Sequence, residues 1–178
     1  MNICIVTGSS GLIGSESVRF FSAKGFKVIG IDNNFRAHFF GKNGDTSWVK
    51  NQLKEKFKNF KHYNCDVRDK KKITNIFKKF SNDIKIVVHC AGQPSHDWAY
   101  KNPSLDFEVN ANGTLNLLQN FKKYSPKAVF INLSTNKVYG DNPNNLKFVE
   151  KKLRYDLPKN HEFFYGIDEK MSIQNCIH

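Results

Sequence analysis

Five short apolar runs, 2–7, 27–32, 60–65, 84–90 and 128–133, alternate along the chain with stretches whose apolar residues recur every three or four positions. Runs of that length with little polar alternation predict strands buried on both faces. Joined through helices, they predict a parallel sheet covered on two sides, a Rossmann-type α/β fold. Ile73, Ile76, Phe77 and Phe80 form the clearest helical stripe, and Val49, Leu53 and Phe57 a weaker one. Ile13, Ser17, Phe20 and Phe21 mark a first helix that stops near Gly25, and Phe107, Ala111, Leu115 and Leu118 share a face of a long helix from Pro103 to Tyr124. These stripes predict core positions. After Tyr139 the texture changes: Asn142–Asn145 is turn-forming, and an irregular tail over about 141–178 has no long period. The expectation is one domain, 1–178, with five strands.

Between the first run and the first helix lies TGSSGLIG. Gly8 permits a tight bend, Gly11 lets backbone approach a pyrophosphate, and Gly14 lets the helix pack closely on the sheet. A diphosphate would rest on the free N–H groups of the helix N-terminus, where the dipole favours negative charge. Asp32 ends the second run, VIGID, where a carboxylate can accept both ribose hydroxyls of NAD and repel a 2′-phosphate. Strand, turn, helix, second strand and acid stand in register, so NAD is the expected cofactor.

Composition narrows the alternatives. The formal net charge is +12, but all the basic residues are lysines except Arg19, Arg36, Arg68 and Arg154. Lysine clusters such as Lys70–Lys72 and Lys122–Lys123 fall at helix ends or on polar faces, without interleaved aromatics that stack bases. A solvated surface explains them better than nucleic-acid binding does. No apolar stretch approaches the roughly 20 residues that cross a bilayer, so no membrane partner is expected. Cys4, Cys65, Cys90 and Cys176 lack metal-ligand spacing, which predicts reduced thiols, a cytoplasmic protein and no metal.

The motifs TGSSGLIG, DNNFR, NCDVRD, HCAGQPSHDWA, DFEVNANGTLNLL, STNKVYGD and YGIDEKMSI occur in this order. In them the chain resembles the extended short-chain dehydrogenase/reductase family of NAD-dependent nucleotide-sugar epimerases and dehydratases. The likeness points to its CDP-paratose 2-epimerase (CDP-tyvelose 2-epimerase) branch. The resemblance implies an isomerase that oxidises and re-reduces C2 of a CDP-linked dideoxyhexose. It implies cofactor contacts from Gly8, Gly11, Leu12, Ile13, Gly14, Asp32, Asn33, Asn34, Arg36, Asp66, Val67, Ala91, Gly92, Gln93, Asn110 and Ser134. Asp66 would meet the adenine amino group, although it also suits the start of a loop. Ala91 and Gly92 would let the cofactor ribose lie against backbone, and Asn110 would bond back towards the strand beside the site. Thr135 matches the family's catalytic Ser/Thr, and His96, in a loop with Asp97, would face substrate.

The family's chemistry also needs a Tyr and a Lys four residues later on one helix face, so that the ammonium lowers the phenol's pKa. Tyr155 and Lys159 have the spacing, but Pro158 between them denies a helix. Tyr165 is followed at that distance by Glu169. The pair, the last strands of the cofactor domain and the substrate lobe are therefore expected to lie outside these residues, with the fragment binding NAD weakly and turning over nothing. Whether the chain is itself an enzyme stays open. The alternative is a non-enzymatic NAD-binding module or half of a split protein. In the family's strand order the fifth strand pairs with a sixth, so 128–133 is expected as an exposed edge prone to self-association.

Overall fold

The computed structural model describes residues 2–134 and 138–173. They divide into two compact units, Met1–Leu133 and Ser134–His178. In the first, β1 (Ile3–Thr7), β2 (Lys27–Ile31), β3 (Phe60–Tyr63), β4 (Ile84–His89) and β5 (Val129–Asn132) form one parallel sheet in the order β3-β2-β1-β4-β5. The five expected strands are all present. Strand order runs outward to one side through β2 and β3 and to the other through β4 and β5. The reversal between β1 and β4 opens a crevice at the carboxyl ends of the strands, where open α/β sheets bind ligands.

Alternate residues of each strand supply two cores. Ile3, Ile5, Ile29 and Ile31 pack with Ile73, Ile76 and Phe77 of α4 (Lys70–Phe80) and with Leu117 of α7 (Gly113–Tyr124). Cys4, Val6, Val28 and Val88 pack on the opposite face with Val18 of α1 (Leu12–Ala23) and with Val49 and Leu53 of α3 (Ser47–Lys56). Each fully buried aliphatic side chain contributes about 1.5–3 kcal/mol, so both sheet faces need their helices. Asp69 caps α4 by accepting the Lys72 N–H at 2.9 Å.

Two of the expected stripes are corrected. In α1 the buried residues are Gly14, Ser15, Val18 and Ser22, while Ile13 and Phe20 are exposed. The helix starts so close to the Gly-rich turn that only small side chains fit beneath it. The long helix is built in three parts: α6 (Pro103–Phe107), a π-helical stretch Glu108–Asn112, and α7. A π turn inserts a residue into the helical phase. Val109, Asn116, Leu117 and Asn120 therefore face inward, and Phe107, Ala111, Leu115 and Leu118 stand in solvent. Two short helices were not foreseen: α2 (Arg36–Phe40) and α5 (His96–Lys101). The second places His96 and Asp97 in a helical first turn capped by Ser95 rather than in a loop.

The second unit holds a short antiparallel hairpin, β6 (Val149–Glu150) with β7 (Tyr155–Asp156). Leu157, Phe163 and Met171 make its small core with Tyr139 and Leu146. Tyr155 lies on β7 and Lys159 in the turn beyond Pro158, so the two share no helix face. Among the described residues no helix is long and apolar enough to cross a membrane.

Candidate functional site

The turn after β1 is built by backbone that excludes side chains. Gly8 has φ +63°, and its N–H donates to the Ile31 carbonyl at 2.8 Å. A Cβ there would meet the Ala91 nitrogen at 2.9 Å, and a Cβ on Gly14 would sit 1.9 Å from the Gly8 carbonyl oxygen. Gly11, the N-cap of α1, offers no capping side chain, and Ser15 makes the first intrahelical bond, to Gly11 O at 2.9 Å. The N–H groups of Leu12, Ile13 and Gly14 are thus those a helix leaves unbonded, facing the crevice with the dipole's positive end. The Leu12 and Ile13 side chains are exposed.

Asp32 ties the end of β2 to this turn. Its Oδ2 accepts the Ser10 N–H at 2.9 Å and its Oδ1 the Asn34 N–H at 2.7 Å, with Asn34 at φ +58°. Next to it, Asn33 donates to Asp66 Oδ2 at 2.9 Å. Arg68 grips the same carboxylate from backbone and guanidinium, at 2.7–3.0 Å. Burial works against the Asp66 charge, but the Arg68 hydrogen bonds outweigh it and hold the carboxyl below its usual range. Four donors fill the acceptor sites of Asp66, so a meeting with an adenine amino group requires Asn33 or Arg68 to give way. The Arg68 guanidinium lies 4.9 Å from the Phe35 ring centre, and Arg36 turns onto Phe40 at 4.7 Å. Val67 is buried in the core against Gly113.

Across the crevice, a buried relay orders the end of β4. Thr114 Oγ1 donates its single hydrogen to Asn110 O at 2.6 Å, so at 2.9 Å it accepts from His89 Nε2. His89 Nδ1 is then the acceptor for Thr7 Oγ1, 2.7 Å away, and that oxygen accepts the Ala91 N–H at 3.2 Å. Burial pushes the imidazole down to about 4, so it is neutral and holds one tautomer. Asn110, placed by the π-helical stretch, accepts the Gln93 N–H at 2.8 Å and donates to Gln93 O at 3.3 Å. The Gln93 side chain is spent on Ser95 and Asp106. The carboxyl-end residues Gly8–Gly14, Asp32, Asn33, Asp66 and Ala91–Gln93, together with Asn110, therefore gather along one edge of the sheet. His96 and Asp97 are exposed on α5, and Ser134, also exposed, falls in the second unit. Thr135 and Cys176 lie outside the described residues. Sequence reasoning missed the Thr7–His89–Thr114 relay; its signal was a buried polar residue at the carboxyl end of each of two central strands, Thr7 of β1 and His89 of β4.

A model of the NAD-dependent epimerase/dehydratase family matches residues 4–177. The chain belongs to that family. It is 34% identical over 85% of its length to the CDP-paratose 2-epimerase of Salmonella typhi, covering 41% of that protein. It is 33% identical over 80% of its length to the UDP-glucuronate 4-epimerase of Thermodesulfobacterium geofontis, covering 42% of it. Among solved structures, the Thermus thermophilus UDP-glucose 4-epimerase complex with NAD matches 98% of this chain and 44% of its own, with a TM-score of 0.63 at 26% identity. The Thermotoga maritima UDP-glucose 4-epimerase with UDP-glucose matches 80% of this chain and 40% of its own, with a TM-score of 0.61 at 29% identity. The chain thus spans about two-fifths of the relatives it matches. The fold is the family's NAD-binding fold, and the residues present suit a dinucleotide: Gly8 and Gly14 let the turn close onto Ala91 and onto the Gly8 carbonyl with no room for a Cβ, and that tight turn leaves the uncapped amides at the start of α1 facing the crevice.

Proposed function

We propose that the chain binds NAD through this turn and belongs to a nucleotide-sugar epimerase acting at C2 of a CDP-linked dideoxyhexose. The observation that carries the reading is the Gly8–Gly14 turn locked to Asp32 through the Ser10 N–H. The uncapped amides of Leu12, Ile13 and Gly14 would take the diphosphate and Asp32 the adenosine ribose, while Ala91 and Gly92 leave the β4 end low enough for the second ribose. The chemistry that NAD held there would supply is reversible hydride transfer at the sugar carbon. Thr135 would hold the reacting hydroxyl, as the family's motif implies. The sugar and base follow from likeness to the Salmonella relative.

Calorimetry with NAD tests the cofactor half: a saturable heat lost in an Asp32→Ala variant supports it, and no heat overturns it. Incubating the purified chain with a CDP-linked dideoxyhexose tests the catalytic half. The expected result is no turnover, and measurable epimerisation would overturn the rejection of Tyr155 and Lys159. A second reading, a non-enzymatic NAD-binding module or half of a split protein completed by another chain, is favoured by the open side of β5. There Val129 is 58% and Ile131 40% exposed. It predicts self-association, and a clean monomer on size exclusion counts against it.

A further inference from the structure

The two short helices that periodicity did not foresee meet each other. α2 begins shortly after Asp32 at the end of β2, and α5 shortly after Gly92 at the end of β4. β1 lies between those strands, which sets them about 10 Å apart. Elements that leave their carboxyl ends and touch must span the carboxyl end of β1, where the Gly-rich turn begins. They do touch. The Phe39 ring centre lies 4.9 Å from that of Trp98, edge to face at 76°, and the His38 ring 5.4 Å from it. Phe35 backs the contact, stacked on His38 at 5.1 Å and against Phe39 at 4.7 Å. On the far side Ser95 Oγ accepts the Trp98 N–H at 3.3 Å and so fixes where the indole starts. Neither helix has a buried residue, and no ring of this bridge belongs to either sheet core. A bridge with so little buried anchorage opens at small free-energy cost.

We propose that His38, Phe39 and Trp98 form an aromatic strap across the crevice, which opens to admit or release the dinucleotide and shuts over it. The proposal rests on the reading that NAD runs from Asp32 past the Leu12–Gly14 amides to Ala91 and Gly92, because the strap covers that same span. The ring contacts join protein to protein and are the same whether the crevice is empty or filled. They therefore set how fast the cofactor exchanges, and leave its affinity almost unchanged.

The test is stopped-flow fluorescence on the full chain, with NADH as the probe and excess NAD displacing it, beside an equilibrium titration of each variant. Trp98→Ala removes both contacts to α2. Association and dissociation should each quicken about tenfold, the factor that the loss of about two aromatic contacts gives, while Kd stays within about threefold. Trp98→Phe keeps a ring and should restore slow exchange. Phe39→Leu should quicken both rates from the other helix by a smaller factor, and it decides the matter if Trp98→Ala does not fold. The proposal is overturned if both rates match those of the unaltered chain, if dissociation alone quickens so that Kd weakens in step, or if Trp98→Phe behaves like Trp98→Ala. Binding with unaltered rates sinks the strap and spares the dinucleotide site; no binding of NADH or NAD to the unaltered chain sinks both.

Discussion

The two flanks of the sheet are finished differently. On the β1–β2–β3 flank the backbone is packed to the limit. Glycines stand where any side chain would collide, α1 and α3 cover one face and α4 the other, and Asp32 stitches turn to strand. On the β5 flank, Phe130 packs inward beneath Phe121, while Val129 and Ile131 present their side chains to solvent on the opposite face. The first flank has little tolerance for change and carries the candidate site; the second has tolerance and a surface that invites a partner.

Substitutions can break that contrast. Gly14→Ala puts a Cβ 1.9 Å from the Gly8 carbonyl. It should cost more than about 3 kcal/mol by urea unfolding, whereas a result within 1 kcal/mol would mean that the turn can give. Next comes the β4 relay. The His89 pKa is about 4 in the folded chain against 6.5 ordinarily. The unfolded chain therefore takes up a proton, as pH falls through 6.5, that the folded chain refuses until about 4. Stability should fall by roughly 3 kcal/mol across that window and then level, and the part of the slope due to this group should vanish in a His89→Leu variant. Asp32→Ala leaves the Ser10 and Asn34 N–H groups without their acceptor and should weaken NAD binding by about tenfold or more. The smallest effect on folding belongs to the open flank. Ile131→Lys should change stability by under about 1 kcal/mol yet abolish self-association on size exclusion.

The thiols give a further check on the packed interior. Burial pushes Cys4 up to about 12 and Cys65 and Cys90 up to about 11. Their alkylation at neutral pH should therefore await unfolding. Rapid labelling of Cys4 in native buffer would show that the β1–β2 flank opens locally.

Where a side chain's role is set by its near neighbours in the chain, it was readable in advance. Ile73, Ile76 and Phe77 had to share a face of α4 because helical spacing leaves them no choice. Gly8 and Asp32 were legible because a turn with positive φ and an acid at a strand end leave marks on sequence. The stripe through Phe107, Leu115 and Leu118 misled for a physical reason. One π turn rephased the helix so that Asn110 reaches Gln93, and periodicity assumes a constant phase. The α1 stripe misled because the closeness of Gly14 to the turn, not hydrophobicity, selects what lies beneath that helix.

Composition and spacing alone determined the parallel α/β class, the five strands, the Gly-rich turn and the acid that follows it. These rest on local geometry and on burial periods that chemistry imposes residue by residue. Only the folded chain could bring Thr7, His89 and Thr114 into one relay, bring Asn33 onto Asp66, and set Lys50, Lys54 and His62 around the cleft at Asp32. Those groups are far apart in sequence, and their meeting depends on how strands register and helices pack.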